Sequence, residues 1–99
     1  MPFKYKLHED AQNDLENSLE WYMQRSVRAA ENFIAAIDNA LALICEHPER
    51  WRNTYKNYHE LGLKKYPFTI IYTIEKSEQM VVVSSIYHHK RNPKKKYTK

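Results

Sequence analysis

Two clusters of basic residues flank the apolar second half of the sequence, and they are the residues best suited to chemistry. Lys64 and Lys65 precede one apolar run, and the segment 88–96, which begins with His88-His89, follows another. Lysine and arginine bind phosphate and carboxylate groups, and histidine changes its charge near neutral pH. If the fold brings the two clusters together, they would bind a nucleic acid or an acidic protein partner.

The histidine pair does not predict a metal site. Adjacent residues on a strand point to opposite faces of the sheet, so His88 and His89 would not chelate one ion, and no pair of cysteines supports them. The single cysteine, Cys45, lies in an apolar helical pattern that would raise the pKa of its thiol. We therefore expect a core cysteine in a reducing compartment, and neither a metal nor another cofactor.

The positive charge lies almost entirely in the second half of the chain. Residues 1–50 carry five basic and nine acidic residues, whereas residues 51–99 carry eleven basic and three acidic residues. Six of those eleven lie in the segment 90–99, which we call the basic tail. A solvated chain end would explain the tail alone, but together with Lys64 and Lys65 it favours a surface for an acidic partner.

The length and composition predict one soluble domain. The chain has 99 residues, of which 42% are hydrophobic, so residues 1–99 are expected to form a single domain that ends in the basic tail. No apolar run approaches the roughly 20 residues that cross a bilayer, and the first residues lack the apolar stretch of a signal peptide. A cytoplasmic protein without a membrane partner is expected.

The elements that would position the basic clusters are three strands. Apolar, β-branched runs with aromatic residues are typical of strands that are buried on at least one face. A turn is expected at Tyr66-Pro67, since proline cannot donate to the ladder, and residues 75–78 form a polar connector. The predicted strands are about His59–Lys65, Phe68–Ile74 and Met80–Ile86. They would form an antiparallel meander whose first strand carries both lysines.

The first half predicts a strand and two helices. Phe3–Leu7 alternates apolar and basic residues, and apolar residues then recur at helical spacing from Glu9 to Arg25. The opposite, polar face of this helix includes Asp14, Glu16 and Glu20. Ser26 is predicted to cap a second helix that ends at His47-Pro48. Trp51, Tyr55 and Tyr58 are expected in a loop that covers the core, and a platform on which nucleic-acid bases stack is the alternative.

The predicted fold is therefore α+β. An N-terminal strand is followed by an antiparallel two-helix hairpin and then by the three-stranded antiparallel meander.

The order of the predicted strands and helices, together with several short motifs, resembles that of the RelE/ParE toxin superfamily. The resemblance covers nearly the whole chain. The residues that carry it are Ala11-x-x-Asp14-Leu15, Glu20-Trp21-Tyr22, Ala29-Ala30-x-x-Phe33, Ile37-Asp38-x-Ala40-Leu41, Pro48, Leu63-Lys64-Lys65-Tyr66-Pro67-Phe68-x-Ile70-Ile71-Tyr72 and Ile86-x-His88-x-x-Arg91-x-Pro93.

The resemblance implies the toxin of a type II toxin–antitoxin module, of the kind often called a plasmid stabilisation protein. A cognate antitoxin would neutralise it, and operator DNA would be bound only through the toxin–antitoxin complex. ParE-like members inhibit growth by binding DNA gyrase, whereas RelE-like members are metal-independent endoribonucleases that cut messenger RNA on the ribosome. A third alternative is an inactive homologue that only binds an antitoxin.

The resemblance also implies roles for particular residues. In a nuclease, His89 would be the acid or base, and Lys64 would clamp a phosphate across the sheet. Target-binding residues would be basic residues and a tyrosine at the two clusters. They are Lys64, Lys65, Arg91, Lys94, Lys95, Lys96 and Tyr97.

The match to the nuclease branch is incomplete. RelE-like nucleases usually carry an arginine directly after the aromatic residue that opens the central strand, and Thr69 stands there in this chain. They also carry basic residues two and four places before Lys64, where this chain has Gly62 and Glu60. The terminal pattern with His88 and Arg91 resembles that of ParE-like members, in which the histidine packs at the sheet edge. The ParE-like branch is therefore favoured.

Overall fold

Two helices form an antiparallel hairpin, as predicted. The computed structural model describes residues 2–90, apart from the side chain of Thr54; helix α1 spans Glu9–Met23 and helix α2 spans Val27–Glu46. The Ser26 Oγ accepts a hydrogen bond from the Ala29 N–H at 2.9 Å, which confirms the predicted cap. Helix α2 ends before His47-Pro48, because a residue that precedes proline disfavours helical geometry.

Five strands form one sheet beneath the helices. The strands are β1 (Lys4–Leu7), β2 (Arg52–Tyr55), β3 (Tyr58–Gly62), β4 (Phe68–Glu75) and β5 (Met80–His88). Their order in space is β1-β5-β4-β3-β2. Strand β1 runs parallel to β5 at one edge, and the other neighbours are antiparallel. The α+β class and the meander β3-β4-β5 are confirmed.

The core lies between helix α2 and the helix-facing side of β4 and β5. Phe33 and Ile44 of α2 are fully buried, as are Ile70 and Tyr72 of β4. Phe33 lies 5.4 Å from Phe68, measured between ring centroids, so an aromatic contact joins α2 to the start of β4. Because residues alternate along a strand, Thr69 and Ile71 belong to the other, outer face of the sheet.

Strand β2 was not predicted, and its residues explain why. Arg52 and Asn53 are exposed, so this edge strand shows no alternation of apolar and polar residues. A two-residue turn at Lys56-Asn57 joins it to β3, and Lys56 has a φ of 48°. Turns with positive φ usually contain glycine, which would have signalled the hairpin. Tyr55 and Tyr58 are therefore paired across a hairpin and not part of a loop.

Strand β3 also ends earlier than predicted. It stops at Gly62, and residues 64–67 form a bend before β4 begins at Phe68. The Leu63 N–H donates to the Phe68 carbonyl at 2.9 Å and closes this turn. The prediction that Lys64 and Lys65 lie on the first strand of the meander is wrong: both lie in the turn.

Asp14 faces the sheet and not the solvent. Its carboxylate accepts hydrogen bonds from the Ser85 Oγ and from the Ile86 N–H, both at 3.1 Å. Strand β5 has an irregular register here, since Ser85 pairs with Ile71 whereas Val83 pairs with Tyr72. The carboxylate thus satisfies a backbone donor at the bulge and ties α1 to β5.

None of the helices between residues 2 and 90 has the length and apolar character needed to cross a membrane.

Candidate target-binding surface

The two histidines at the end of β5 are held by different partners. The His88 Nδ1 accepts from the Lys90 N–H at 3.0 Å, and its ring meets the Phe68 ring edge to face at a centroid distance of 4.9 Å. This packing agrees with the structural role that was expected for His88. His89 follows the strand, is exposed, and donates its backbone N–H to the Pro67 carbonyl at 2.9 Å.

The side chain of His89 contacts the residue that departs from the nuclease pattern. Its Nε2 lies 2.9 Å from the Oγ1 of Thr69, which is only 9% exposed. Gly62 pairs with Thr69 on the neighbouring strand, and a Cβ added to Gly62 would lie 3.8 Å from the same Oγ1. The three residues thus form a small polar site on the outer face of the sheet.

Lys64 and Lys65, in the turn before β4, lie in surroundings different from those of His89. Lys64 and Lys65 are exposed and line a groove between helix α2 and strand β3, together with Leu43, Trp51 and other residues. His89 does not line this groove. The structure therefore places the two predicted catalytic residues, Lys64 and His89, in different environments.

The central strands carry no lysine or arginine that could stand in for the missing arginine. Strands β3, β4 and β5, which lie wholly within the described residues, contain Glu60 and Glu75 but neither lysine nor arginine. On the outer face of the sheet, the described cations of the strands are at the two edges. They are Lys4 and Lys6 on β1 and Arg52 on β2.

The remaining predicted target-binding residues lie outside the described part of the chain. They are Arg91, Lys94, Lys95, Lys96 and Tyr97. Lys90, the first residue of the basic tail, is exposed beside His88 and lines a cleft with Trp21 and Tyr22 of α1. The chain therefore enters its most basic segment at the end of β5.

Burial raises the pKa of two groups in the core. Cys45 is 5% exposed, and burial raises the pKa of its thiol, as expected for a core residue. Tyr72 is fully buried, and its hydroxyl donates to the Pro48 carbonyl at 2.6 Å. Burial also raises the pKa of the Tyr72 hydroxyl well above its ordinary value. Neither group is a nucleophile or base at neutral pH.

Sequence reasoning missed the groove itself. Ala36, Asn39, Ala40 and Leu43 follow one another at spacings of three, one and three residues, which places them on one stripe of α2. That spacing is visible in the sequence and could have indicated a second contact surface beside the core-facing stripe. The other wall of the groove could not be predicted, because the predicted strand ran to Lys65 whereas β3 ends at Gly62.

The chain matches a known family along most of its length. The family is described as the ParE toxin of the type II toxin–antitoxin system parDE, and residues 5–93 match its model. A search of characterised proteins returned no match in sequence.

Solved structures of toxins have the same fold. A chain of the chromosomal ParDE system from P. aeruginosa is similar with a TM-score of 0.71 and 13% identity, over 87% of this chain and 95% of that one. A chain of the RelBE2 toxin–antitoxin complex from Mycobacterium tuberculosis has a TM-score of 0.59 and 16% identity, over 89% and 92%. The isolated RelE toxin of E. coli has a TM-score of 0.58 and 13% identity, over 95% and 92%. On the match over residues 5–93, the chain belongs to the ParE toxin family of type II toxin–antitoxin systems.

Proposed function

We propose that this toxin inhibits growth by binding DNA gyrase and that it does not cut RNA. Its family supplies the coarse function, a toxin with a cognate antitoxin as partner. The observation that favours gyrase binding over RNA cleavage is the absence of lysine and arginine from β3, β4 and β5, all of which are described. Gyrase is the target that the resemblance to ParE-like members implies.

RNA cleavage makes demands that these strands do not meet. When a ribose hydroxyl attacks the adjacent phosphate, a base must remove a proton, cations must stabilise the added negative charge, and an acid must protonate the leaving oxygen. Glu60 is half-buried on the central part of the sheet, where its carboxylate would repel a phosphate. Thr69 offers a neutral hydroxyl that is already engaged by His89.

Binding needs only a surface of complementary charge. In this proposal the basic tail contacts an acidic surface of gyrase through Arg91, Lys94, Lys95 and Lys96, and Tyr97 adds apolar contact area. Attraction of this kind speeds association and weakens as salt screens the charges.

The proposal is tested by measuring the binding of the purified toxin to immobilised gyrase at about 50 and about 300 mM salt, on either side of physiological ionic strength. We expect binding that weakens as salt rises, and that is lost when Lys94, Lys95 and Lys96 are replaced together by alanine. Lys4→Ala with Lys6→Ala is the matched control, since both residues lie on β1 and pair with the start of β5, at the other end of that strand from the basic tail. No binding at the lower salt would refute the proposal.

One observation favours a second candidate, the ribosome-dependent endoribonuclease. His89 is exposed and its ring lies beside the Thr69 hydroxyl, so a titratable group is available at the end of the sheet. Purified toxin would be added to ribosomes programmed with a defined messenger, and cuts would be mapped by primer extension. Cleavage that disappears in His89→Ala and in Lys64→Ala would establish this reading.

A further inference from the structure

A cleft lies between helix α1 and the end of the sheet at which β4 begins and β5 ends. Trp21 and Tyr22 line it from the helix, and Phe68 and Lys90 line it from the strand ends. We call it the α1–β5 cleft. Its volume is about 510 Å³, which is within the range of pockets that bind small molecules.

Aromatic rings form much of the lining of the α1–β5 cleft. The Phe68 side chain is only 4% exposed, and the His88 ring meets it edge to face at a centroid distance of 4.9 Å. The Tyr22 ring stacks on Phe33 of α2 at a centroid distance of 4.8 Å. Because these rings are packed against the core, the cleft exists before any ligand binds. Its rings offer surfaces on which a planar group can stack.

Trp21 is the most exposed of these rings and is held in position. Its relative exposure is 49%. The Arg25 guanidinium lies over the indole at 3.3 Å from the ring centroid and donates to the Trp21 carbonyl at 3.4 Å. The Tyr22 ring meets the indole edge to face at 4.9 Å. An indole that is fixed by its neighbours and still exposed can serve as a stacking platform for a nucleobase.

The polar groups of the α1–β5 cleft suit a phosphate. Lys90 is exposed and supplies an ammonium group, while the Asn17 amide and the Ser18 hydroxyl can donate hydrogen bonds. Among the described residues, none that lines the cleft carries a carboxylate. The groove between α1 and α2, by contrast, is lined by Glu31 and Asp38. A negatively charged ligand is therefore attracted to the cleft and repelled from that groove.

We propose that the α1–β5 cleft binds a nucleotide. The base stacks on the rings of Trp21 and Tyr22, and the phosphate is bound by Lys90 with hydrogen bonds from Asn17 and Ser18. Every base has a face that can stack, so the cleft selects a planar ring joined to a phosphate and not one particular base. A free mononucleotide and a nucleotide of a single strand both have this chemistry. The site does not require that gyrase is the target of the toxin.

Emission from Trp21 reports directly on stacking. The chain has two tryptophans, so Trp51→Phe leaves Trp21 as the only indole. The probes are adenosine monophosphate, adenosine and inorganic phosphate. We expect the monophosphate to quench Trp21 emission, adenosine to bind at least about tenfold more weakly, and inorganic phosphate to leave the emission unchanged. Equilibrium dialysis of the monophosphate against the unmodified protein repeats the measurement without the Trp51 substitution.

Substitutions locate the bound base and the bound phosphate, with dialysis as the measurement. Trp21→Ala should weaken the monophosphate by about tenfold or more, because it removes the stacking surface, and Trp21→Phe should weaken it less. Lys90→Glu should weaken the monophosphate and leave adenosine unchanged. Lys65→Glu makes the same change of charge at an exposed lysine that lines the other groove, and it should have little effect. Circular dichroism of each variant confirms that it folds.

Two short single strands identify the source of the nucleotide. One contains deoxyadenosines, and the other is abasic and has the same charge, so it measures the attraction of the basic tail alone. If the deoxyadenosine strand binds at least about tenfold more tightly than both the abasic strand and the monophosphate, the ligand is a single-stranded nucleic acid. If it does not, the ligand is a free mononucleotide.

Three results would overturn the proposal. The first is an absence of binding by both the monophosphate and the deoxyadenosine strand. The second is binding that Trp21→Ala leaves unchanged, since the base would then lie elsewhere. The third is an equal loss of monophosphate binding in Lys65→Glu and Lys90→Glu, which would indicate attraction by the overall charge and not by this cleft.

Discussion

The central strands and the basic ends of this chain differ in both burial and charge. In β4, Ile70, Ile71 and Tyr72 are fully buried, and β3, β4 and β5 contain no lysine or arginine within the described residues. Lys64, Lys65 and Lys90 lie just beyond strand ends and are exposed. Under the proposed function, stability resides in the central strands and recognition in the basic ends, so substitutions should affect one without the other.

Removal of residues 91–99 should have the largest effect. It deletes five of the sixteen basic residues and leaves β1 to β5 and both helices intact. We expect growth inhibition and gyrase binding to be lost, because the charges that attract the target are gone. Growth after induction and a thermal melt are measured together. A truncated protein that still arrests growth would show that growth inhibition does not need the basic tail, and one that no longer folds would show that the tail also contributes to the core.

Asp14→Ala should produce the largest loss of stability among the single substitutions. It removes the acceptor of two hydrogen bonds at the β5 bulge and leaves the Ile86 N–H without that partner. Hydrogen bonds to a charged group contribute about 1.5–3 kcal/mol, so we expect the free energy of unfolding to fall by about 2–3 kcal/mol. Urea denaturation measures it. Glu16→Ala, on the exposed side of the same helix, is the control and should change stability by less than about 0.5 kcal/mol.

Tyr72→Phe should lower the free energy of unfolding by less than Asp14→Ala does. The substitution keeps the ring in the core but removes the donor to the Pro48 carbonyl. Losing one buried hydrogen bond and leaving its acceptor unsatisfied is expected to lower the free energy of unfolding by about 1–2 kcal/mol at pH 7. Gyrase binding should be unchanged. A variant as stable as the unmodified protein would show that the hydroxyl contributes nothing to the anchoring of residues 47–50.

The same hydroxyl predicts an alkaline loss of stability. Burial raises the pKa of Tyr72 in the folded state above its ordinary value of 10.0, so the folded protein holds the proton more tightly than the unfolded chain. The stability due to Tyr72 is therefore fully present below pH 10 and is lost as pH rises above it. Denaturation between pH 9 and 11 should show a steeper decline in the unmodified protein than in Tyr72→Phe. If stability declined equally with pH in both proteins, the alkaline loss would not be due to Tyr72.

His89→Ala should have the smallest effect. Its ring contacts Thr69 at the end of the sheet, and in a binding toxin this contact does no chemistry. We expect growth inhibition to change less than about threefold, whereas loss of a general acid or base typically costs about a hundredfold or more. Thr69→Val, which removes the hydroxyl at the other side of the contact, serves as the control. A loss of activity in His89→Ala alone would favour the nuclease.

Helices and central strands were predictable because their signals are local. The apolar period of α2, the Ser26 cap and the valine-rich β5 each point to one structure. The strand β2 was not predictable, since its exposed Arg52 and Asn53 give no pattern and its turn lacks glycine. The other edge strand, β1, was predictable because Phe3–Leu7 alternates apolar and basic residues, whereas β2 is specified mainly by its pairing with β3.

The candidate site was predictable in composition but not in arrangement. The basic residues were recognised from charge alone, yet the position of Lys64 and Lys65 depended on where β3 ends, a difference of three residues. Asp14 follows the polar period of α1, and only the tertiary fold reveals that it meets the β5 bulge. The Trp51 Nε1 has no acceptor among residues 2–90, and this too depends on neighbours distant in sequence.

Gyrase inhibition is measured directly by the ATP-dependent supercoiling of relaxed plasmid by purified gyrase in the presence of increasing amounts of this toxin. We expect supercoiling to be inhibited in proportion to the toxin bound, and the protein lacking residues 91–99 to have no effect. Undiminished supercoiling at saturating amounts of folded toxin would contradict the proposed function.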